Sequence, residues 1–223
     1  MAKLSNLILA LALVAPTLVD AQQRSKASNG VFEDSTDVGA TQKGLTEYDP
    51  TTGSYRVTGG GADMWGAADA FHFTWVRLSG DATLTADVRF SSGTNVPLEK
   101  AVLIFRQSLD PASAYADVAI HADGHITLQY RAASGAKTED ITSTEHGSTR
   151  LRIVRKADRF SAYAKSGGGR FIDSSSALVV LHDPVYVGIG VCAHNADGLA
   201  TVTFSNVRLE RSAQTPAEDK PAE

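Results

Sequence analysis

The feature that most restricts the fold of this chain is an apolar residue at every second position, in short runs divided by turn residues. Between Ala82 and Phe90, Leu84, Ala86, Val88 and Phe90 alternate with Thr83, Thr85, Asp87 and Arg89. Successive side chains of a strand point to opposite faces, so this run buries one face and wets the other. Runs of the same kind fall at 54–58, 70–78, 101–108, 114–121, 125–131, 150–156, 159–165, 185–194 and 201–209. No stretch keeps a helical period over three turns. Many short strands separated by Gly, Asp, Ser and Pro predict an all-β fold, a two-sheet antiparallel β-sandwich or jelly roll.

Side-chain logic sets the register of two hairpins. At the tip Ala122-Asp123-Gly124, a two-residue Asp-Gly turn would oppose Ile120 and Thr127, apolar against polar. A three-residue loop with Gly124 left-handed pairs Ile120 with Ile126, Val118 with Leu128 and Ala116 with Tyr130, so the buried face agrees with itself. A two-residue Ala157-Asp158 turn likewise sets Ile153 against Ala162, Leu151 against Ala164 and Arg155 against Phe160.

The ends of the chain differ from this body. Residues 1–21 carry a positive start at Lys3, an apolar core from Leu7 to Val19, and small residues at Val19 and Ala21. That is the pattern of a secretory signal peptide, and its core is shorter than the roughly 20 residues of a membrane span. The expectation is export to the periplasm or the extracellular space, with no membrane insertion after the signal is removed. Residues 22–30 read as a flexible linker, 31–211 as a single domain and 212–223 as a disordered tail. A single Cys rules out an intrachain disulfide, and 21 Lys plus Arg against 25 Asp plus Glu leaves no basic excess for nucleic acid.

The chosen register gathers polar side chains on one sheet face. Tyr115 faces Arg131, Asp117 faces Gln129, and His121 faces His125. Arg106 belongs to a strand that is apolar on both faces. The 185–194 run turns Val187, Ile189 and Val191 inward and Tyr186, Gly188, Gly190, Cys192 and His194 the other way, which predicts a flat glycine floor. With Trp65 nearby, such a face mixes planar donors and acceptors with apolar rings, the combination that sugars use. The expected ligand contacts are Arg106, Tyr115, Asp117, Gln129, Arg131, His194, Trp65 and His121. Purely structural readings stand beside these. Tyr115 over Arg131 can be a cation–π pair, Arg106 and Asp117 can satisfy each other, His194 can bond a loop carbonyl, and Cys192 reads as a small buried hydrophobe.

Motifs for chemistry are mostly missing. Gly59-Gly60-Gly61 precedes no helix, so it reads as a tight irregular loop placing Trp65 at the rim rather than a phosphate cradle. The Glu-x-Asp-x-Glu strand of laminarinase-type glucanases is absent, as are a Gly-x-Ser-x-Gly elbow and a His-Glu-x-x-His helix. No cofactor is expected. Structural calcium on Asp63, Asp69 or Asp81 stays open, although no loop shows a ligand spacing.

Several motifs in order carry a family resemblance. They are Phe32-Glu-Asp-x-x-Asp-Val-Gly39, Asp63-Met-Trp-Gly66 with Asp69-x-Phe-His-Phe73, Ser79-Gly-Asp81, and Lys100-Ala101. Arg106-Gln-Ser-Leu-Asp110, Gln129-Tyr-Arg131, Val187-Gly-Ile-Gly190 with Cys192-Ala-His-Asn195, and Phe204-Ser-Asn-Val207 complete the set. Over about 31–211 the chain resembles a bacterial domain of unknown function in the concanavalin A-like lectin/glucanase superfamily, whose relatives include the fungal regulation-of-enolase protein. The resemblance implies a jelly roll with a concave carbohydrate face and an association with TolB-like propellers and biopolymer transport. It brings no established catalytic residues. Three functions follow as expectations. The first is an exported module binding a carbohydrate or envelope polymer. The second is a cell-envelope protein-interaction domain. The third is a glycan-processing hydrolase or lyase using Asp117 as base and His121 or His194 as acid.

Overall fold

The computed structural model describes residues 29–91, 96–147, 149–165, 167 and 169–212. The expected signal peptide, most of the linker, and residues 213–223 of the tail lie outside the described residues. The chain forms β1 (Asp34–Val38), β2 (Leu45–Asp49), β3 (Ser54–Gly61), β4 (Met64–Trp65), β5 (Ala68–Asp69), β6 (Phe71–Leu78), β7 (Ala82–Phe90) and β8 (Lys100–Arg106). There follow β9 (Tyr115–His121), β10 (His125–Arg131), β11 (Glu139–His146), β12 (Arg150–Lys156), β13 (Arg159–Lys165), β14 (Ile172–Leu178), β15 (Val185–Cys192) and β16 (Asn195–Arg211).

Two antiparallel sheets of seven strands pack face to face, one in the order β1-β6-β15-β8-β9-β10-β11 and the other β14-β13-β12-β7-β16-β3-β2. The sandwich is as expected, and so are both hairpin registers. Ile126 faces Ile120 and Leu128 faces Val118, while Ile153 faces Ala162 and Arg155 faces Phe160. Gly124 takes a φ of 93°, the left-handed backbone that the three-residue loop needs.

The apolar members of the alternating runs fill the space between the sheets. Leu84, Val88, Leu103, Phe105, Val118, Leu128, Ile153, Phe160, Val187, Ile189 and Phe204 are all buried there. Phe105 and Phe160 meet across the layers with ring centroids 5.5 Å apart, a pair worth about 0.5–1.5 kcal/mol beyond the area it buries. At the open edge, polar groups tie the sheets instead. His72 Nδ1 lies 2.7 Å from Asp37 Oδ1, its Nε2 lies 3.1 Å from Thr46 Oγ1, and Thr46 bonds Thr74.

Two expectations about glycine change. Gly59-Gly60-Gly61 is the end of β3, not an irregular loop, and all three residues are buried. A Cβ on Gly61 (φ 109°) would collide with the Ala70 carbonyl, so the triplet lets the two sheets cross closely. Gly188 and Gly190 form no open floor, because their missing Cβ atoms make room for the Thr74 carbonyl and the Phe71 ring.

Candidate functional site

The first sheet has a second apolar layer on its outer side. Phe71, Phe73, Val102, Ile104, Tyr115, Ala119 and Cys192 pack there with Val38 and with Met64 of the small β4–β5 hairpin. This hairpin and the connections after β8 and β10 cover one end of the face. Arg106, Arg131 and Tyr115 lie beneath this cover with 0% exposure.

Asp69, at the end of β5, reaches down as their shared counter-charge. Arg131 grips it in bidentate fashion, Nη1 to Oδ2 at 2.9 Å and Nη2 to Oδ1 at 2.7 Å, and Arg106 Nη1 donates to Oδ2. The remaining donors hold the cover down. Arg106 bonds the carbonyls of Ser108 and Asp110, while Arg131 bonds those of Pro111, Ser113, Ala136 and Gly66. The Tyr115 ring stacks between the two guanidiniums, 5.7 Å from Arg106 and 5.0 Å from Arg131, and its hydroxyl meets Thr138. Burial raises the Tyr115 phenol well above its ordinary pKa.

This arrangement corrects three expectations. Arg106, Tyr115 and Arg131 share the predicted face, but each nitrogen of both arginines is bonded to protein and the ring is enclosed. They clamp a roof and present no group to a ligand. Arg106 also pairs with Asp69, not with Asp117.

Beyond the roof the face stays open. A depression of about 300 Å3 is lined by Asp63, Trp65, Leu98, Lys100, His121, His125, Thr127, Gln129, Asp140 and His194. Four of the expected residues, Trp65, His121, Gln129 and His194, meet in it. Trp65 stands at its rim, 43% exposed, with the Lys100 ammonium 5.8 Å from its ring centroid. Lys100 is itself buried and donates to Asp63 Oδ1 at 2.6 Å and to the Met64 carbonyl at 3.3 Å. His194 follows β15 with a φ of 50°, a left-handed backbone uncommon outside glycine. Its Nδ1 is 3.6 Å from Asp63 Oδ1, too long for a hydrogen bond, and has no hydrogen-bond partner among the described residues.

Burial sets the electrostatics of the floor. His121 donates Nδ1–H to the His125 carbonyl at 3.2 Å. Desolvation, reinforced by the charge of Lys100, pushes its pKa down to about 4, so the ring is neutral at pH 7. Asp117 sits behind the depression, fully buried. Desolvation raises its carboxyl well above the usual range against the opposing pull of Lys100. Asp117 does not line the depression.

Lys100, Asp63, His125, Thr127, Leu98 and Asp140 were not among the expected residues. Lys100 was legible, since it opens a strand on the same face as Arg106. Asp140 belongs to an edge strand without alternation. The carboxylates considered for calcium are engaged separately, Asp63 with Lys100, Asp69 with the arginines, and Asp81 with the Ala157 amide. Among the described residues no group of three or more His, Cys, Asp or Glu is placed to hold a metal ion. A larger cleft of about 620 Å3, beside Glu33, Arg77, Pro184 and Arg211, has no aromatic platform and none of the unpartnered buried side chains.

No family model and no curated protein matches the sequence. Solved structures match its fold. A functionally unknown protein from Saccharomyces cerevisiae is similar with a TM-score of 0.61 and 20% identity, over 80% of this chain and 96% of that one. Carbohydrate binding module CBM66 from Bacillus subtilis is similar at 0.54 and 17%, over 81% and 97%. A prokaryotic beta-1,3-1,4-glucanase (lichenase) from a mouse hindgut metagenome is similar at 0.51 and 8%, over 82% and 96%. Together with the two seven-stranded sheets, these likenesses show a two-sheet jelly-roll fold, shared with a carbohydrate binding module and a glucanase.

Proposed function

We propose that the protein is an exported carbohydrate-binding module whose ligand occupies the depression beneath Trp65. The observation that carries this reading is a half-exposed indole over a floor of buried polar groups, in a fold shared with a carbohydrate binding module. The flat face of an indole suits the C–H face of a sugar ring, and a few fixed polar groups beside it read hydroxyls. The binding residues are Trp65, His121, Gln129 and His194, joined by Lys100, Asp63 and Asp140. Arg106, Tyr115 and Arg131 serve by holding the roof in place. The N-terminal signal-peptide pattern supports export to the periplasm or beyond, and the motif order supports kinship with the regulation-of-enolase-like domains.

A catalytic role has less support. Asp117 lies off the depression with its carboxyl pKa raised by burial, and His121 is held neutral. A glycan array with the intact chain and with Trp65→Ala tests the reading. Binding to at least one glycan class that Trp65→Ala abolishes, with an unchanged melting temperature, is the expected result. Binding that survives the substitution would place the ligand elsewhere.

A further inference from the structure

Two buried polar atoms on the floor of the depression lack a partner. Thr127 and Gln129 are 2% and 3% exposed, yet Thr127 Oγ1 and Gln129 Oε1 have no hydrogen-bond partner among the described residues. Buried polar atoms left unpaired are costly and scarce in native structures, so such a pair at the floor of an open depression marks where ligand atoms belong. His121 spends its Nδ1–H on the His125 carbonyl, which leaves Nε2 as an acceptor. The Lys100 ammonium is committed to Asp63 and to the Met64 carbonyl, so that pair is neutral.

One negative charge is left over. Asp140 on β11 lies in register with Gln129, and its carboxylate bonds the Thr142 hydroxyl at 3.4 Å. No cation pairs with it among the described residues. His125 and His194 are the other titratable groups on the walls.

We propose that the depression selects a sugar unit bearing a protonated amine over its N-acetylated counterpart, and that it excludes uronates. The inference rests on the carbohydrate reading above and names the substrate class of the same site. An ammonium group has three N–H donors and no acceptor, which matches Gln129 Oε1, Thr127 Oγ1 and the Asp140 carboxylate. Acetylation removes the charge and two of those donors. A uronate carboxylate would bring a second negative charge beside Asp140.

Calorimetry of the full chain near neutral pH, with tetramers of glucosamine, N-acetylglucosamine and galacturonate plus neutral cello- and xylo-oligosaccharides, tests this. The glucosamine tetramer should bind about fivefold tighter than the acetylated one, the factor expected of an ion pair at a partly exposed site. The galacturonate tetramer should not bind, and Asp140→Asn should bring the ratio of the first two close to one while the fold stays intact. Equal or tighter binding of the acetylated tetramer, binding of the uronate, or a ratio unmoved by Asp140→Asn overturns the inference and leaves the carbohydrate reading standing. If none of the oligosaccharides binds, both fall.

Discussion

Replacing Asp69 by Asn tests whether the two arginines form a clamp. The substitution preserves the shape of the side chain and removes the anion that Arg106 and Arg131 share. All three side chains are fully buried, so water cannot take the place of the lost partner. Removing one member of such a buried pair costs about 3–5 kcal/mol, because an uncompensated charge is left behind. For a domain of this size each kcal/mol lowers the melting temperature by about 2–4 °C, so a fall of about 6–20 °C is expected. Urea titration gives the free energy directly, and the loss should be nearly the same at low and high salt, because buried charges are poorly screened. A loss below about 1 kcal/mol, or one that disappears in salt, would refute the clamp as the device that fastens the roof.

Three further perturbations follow from the same geometry. The folded-state pKa of His121 is depressed to about 4 from 6.5, so its contribution to stability is complete above pH 6.5. It is lost as the pH falls towards 4, by up to about 3 kcal/mol, and His121→Phe should flatten that part of the stability-pH curve measured by urea titration. Asp117 has the opposite sign. Its folded pKa is raised, so its contribution is present below 3.8 and fades as the unfolded chain ionises above that pH. Asp117→Asn should therefore raise the melting temperature at pH 7 and leave it unchanged near pH 3, and a loss at neutral pH would contradict a raised carboxyl pKa. Gly61→Ala should destabilise by more than about 1 kcal/mol in urea, since the new methyl meets the Ala70 carbonyl at a φ that disfavours side chains.

What the sequence revealed and what it hid divide along physical lines. The strands with strict alternation, such as Ala82–Phe90, Arg150–Lys156 and His125–Arg131, are those packed between neighbours, where one face must be apolar. The long strands that carried no signal, β1, β2, β11 and β14, are the four sheet edges. Edge strands are kept polar, which erases the period and discourages pairing with other chains. The site was half legible for a related reason. Register alone put Tyr115, Asp117, Gln129, Arg131 and His121 on one face, but the roof comes from loops and a two-residue hairpin without a pattern. A clue was present in Arg106, whose strand is apolar on both sides. A cation buried on both faces needs a buried anion, and Asp69 is that anion.

Whether a sugar stacks on the indole at the rim can be read from tryptophan emission, because the chain has only two tryptophans. In a Trp75→Phe variant the emission comes from Trp65 alone, which is 43% exposed beside the depression. Titration with a glycan that the intact chain binds should give a saturable blue shift, as a sugar ring displaces water from the indole, with a midpoint equal to the calorimetric Kd. An emission spectrum that stays fixed while calorimetry shows the ligand bound would mean that recognition occurs away from Trp65, and would contradict a binding site in this depression.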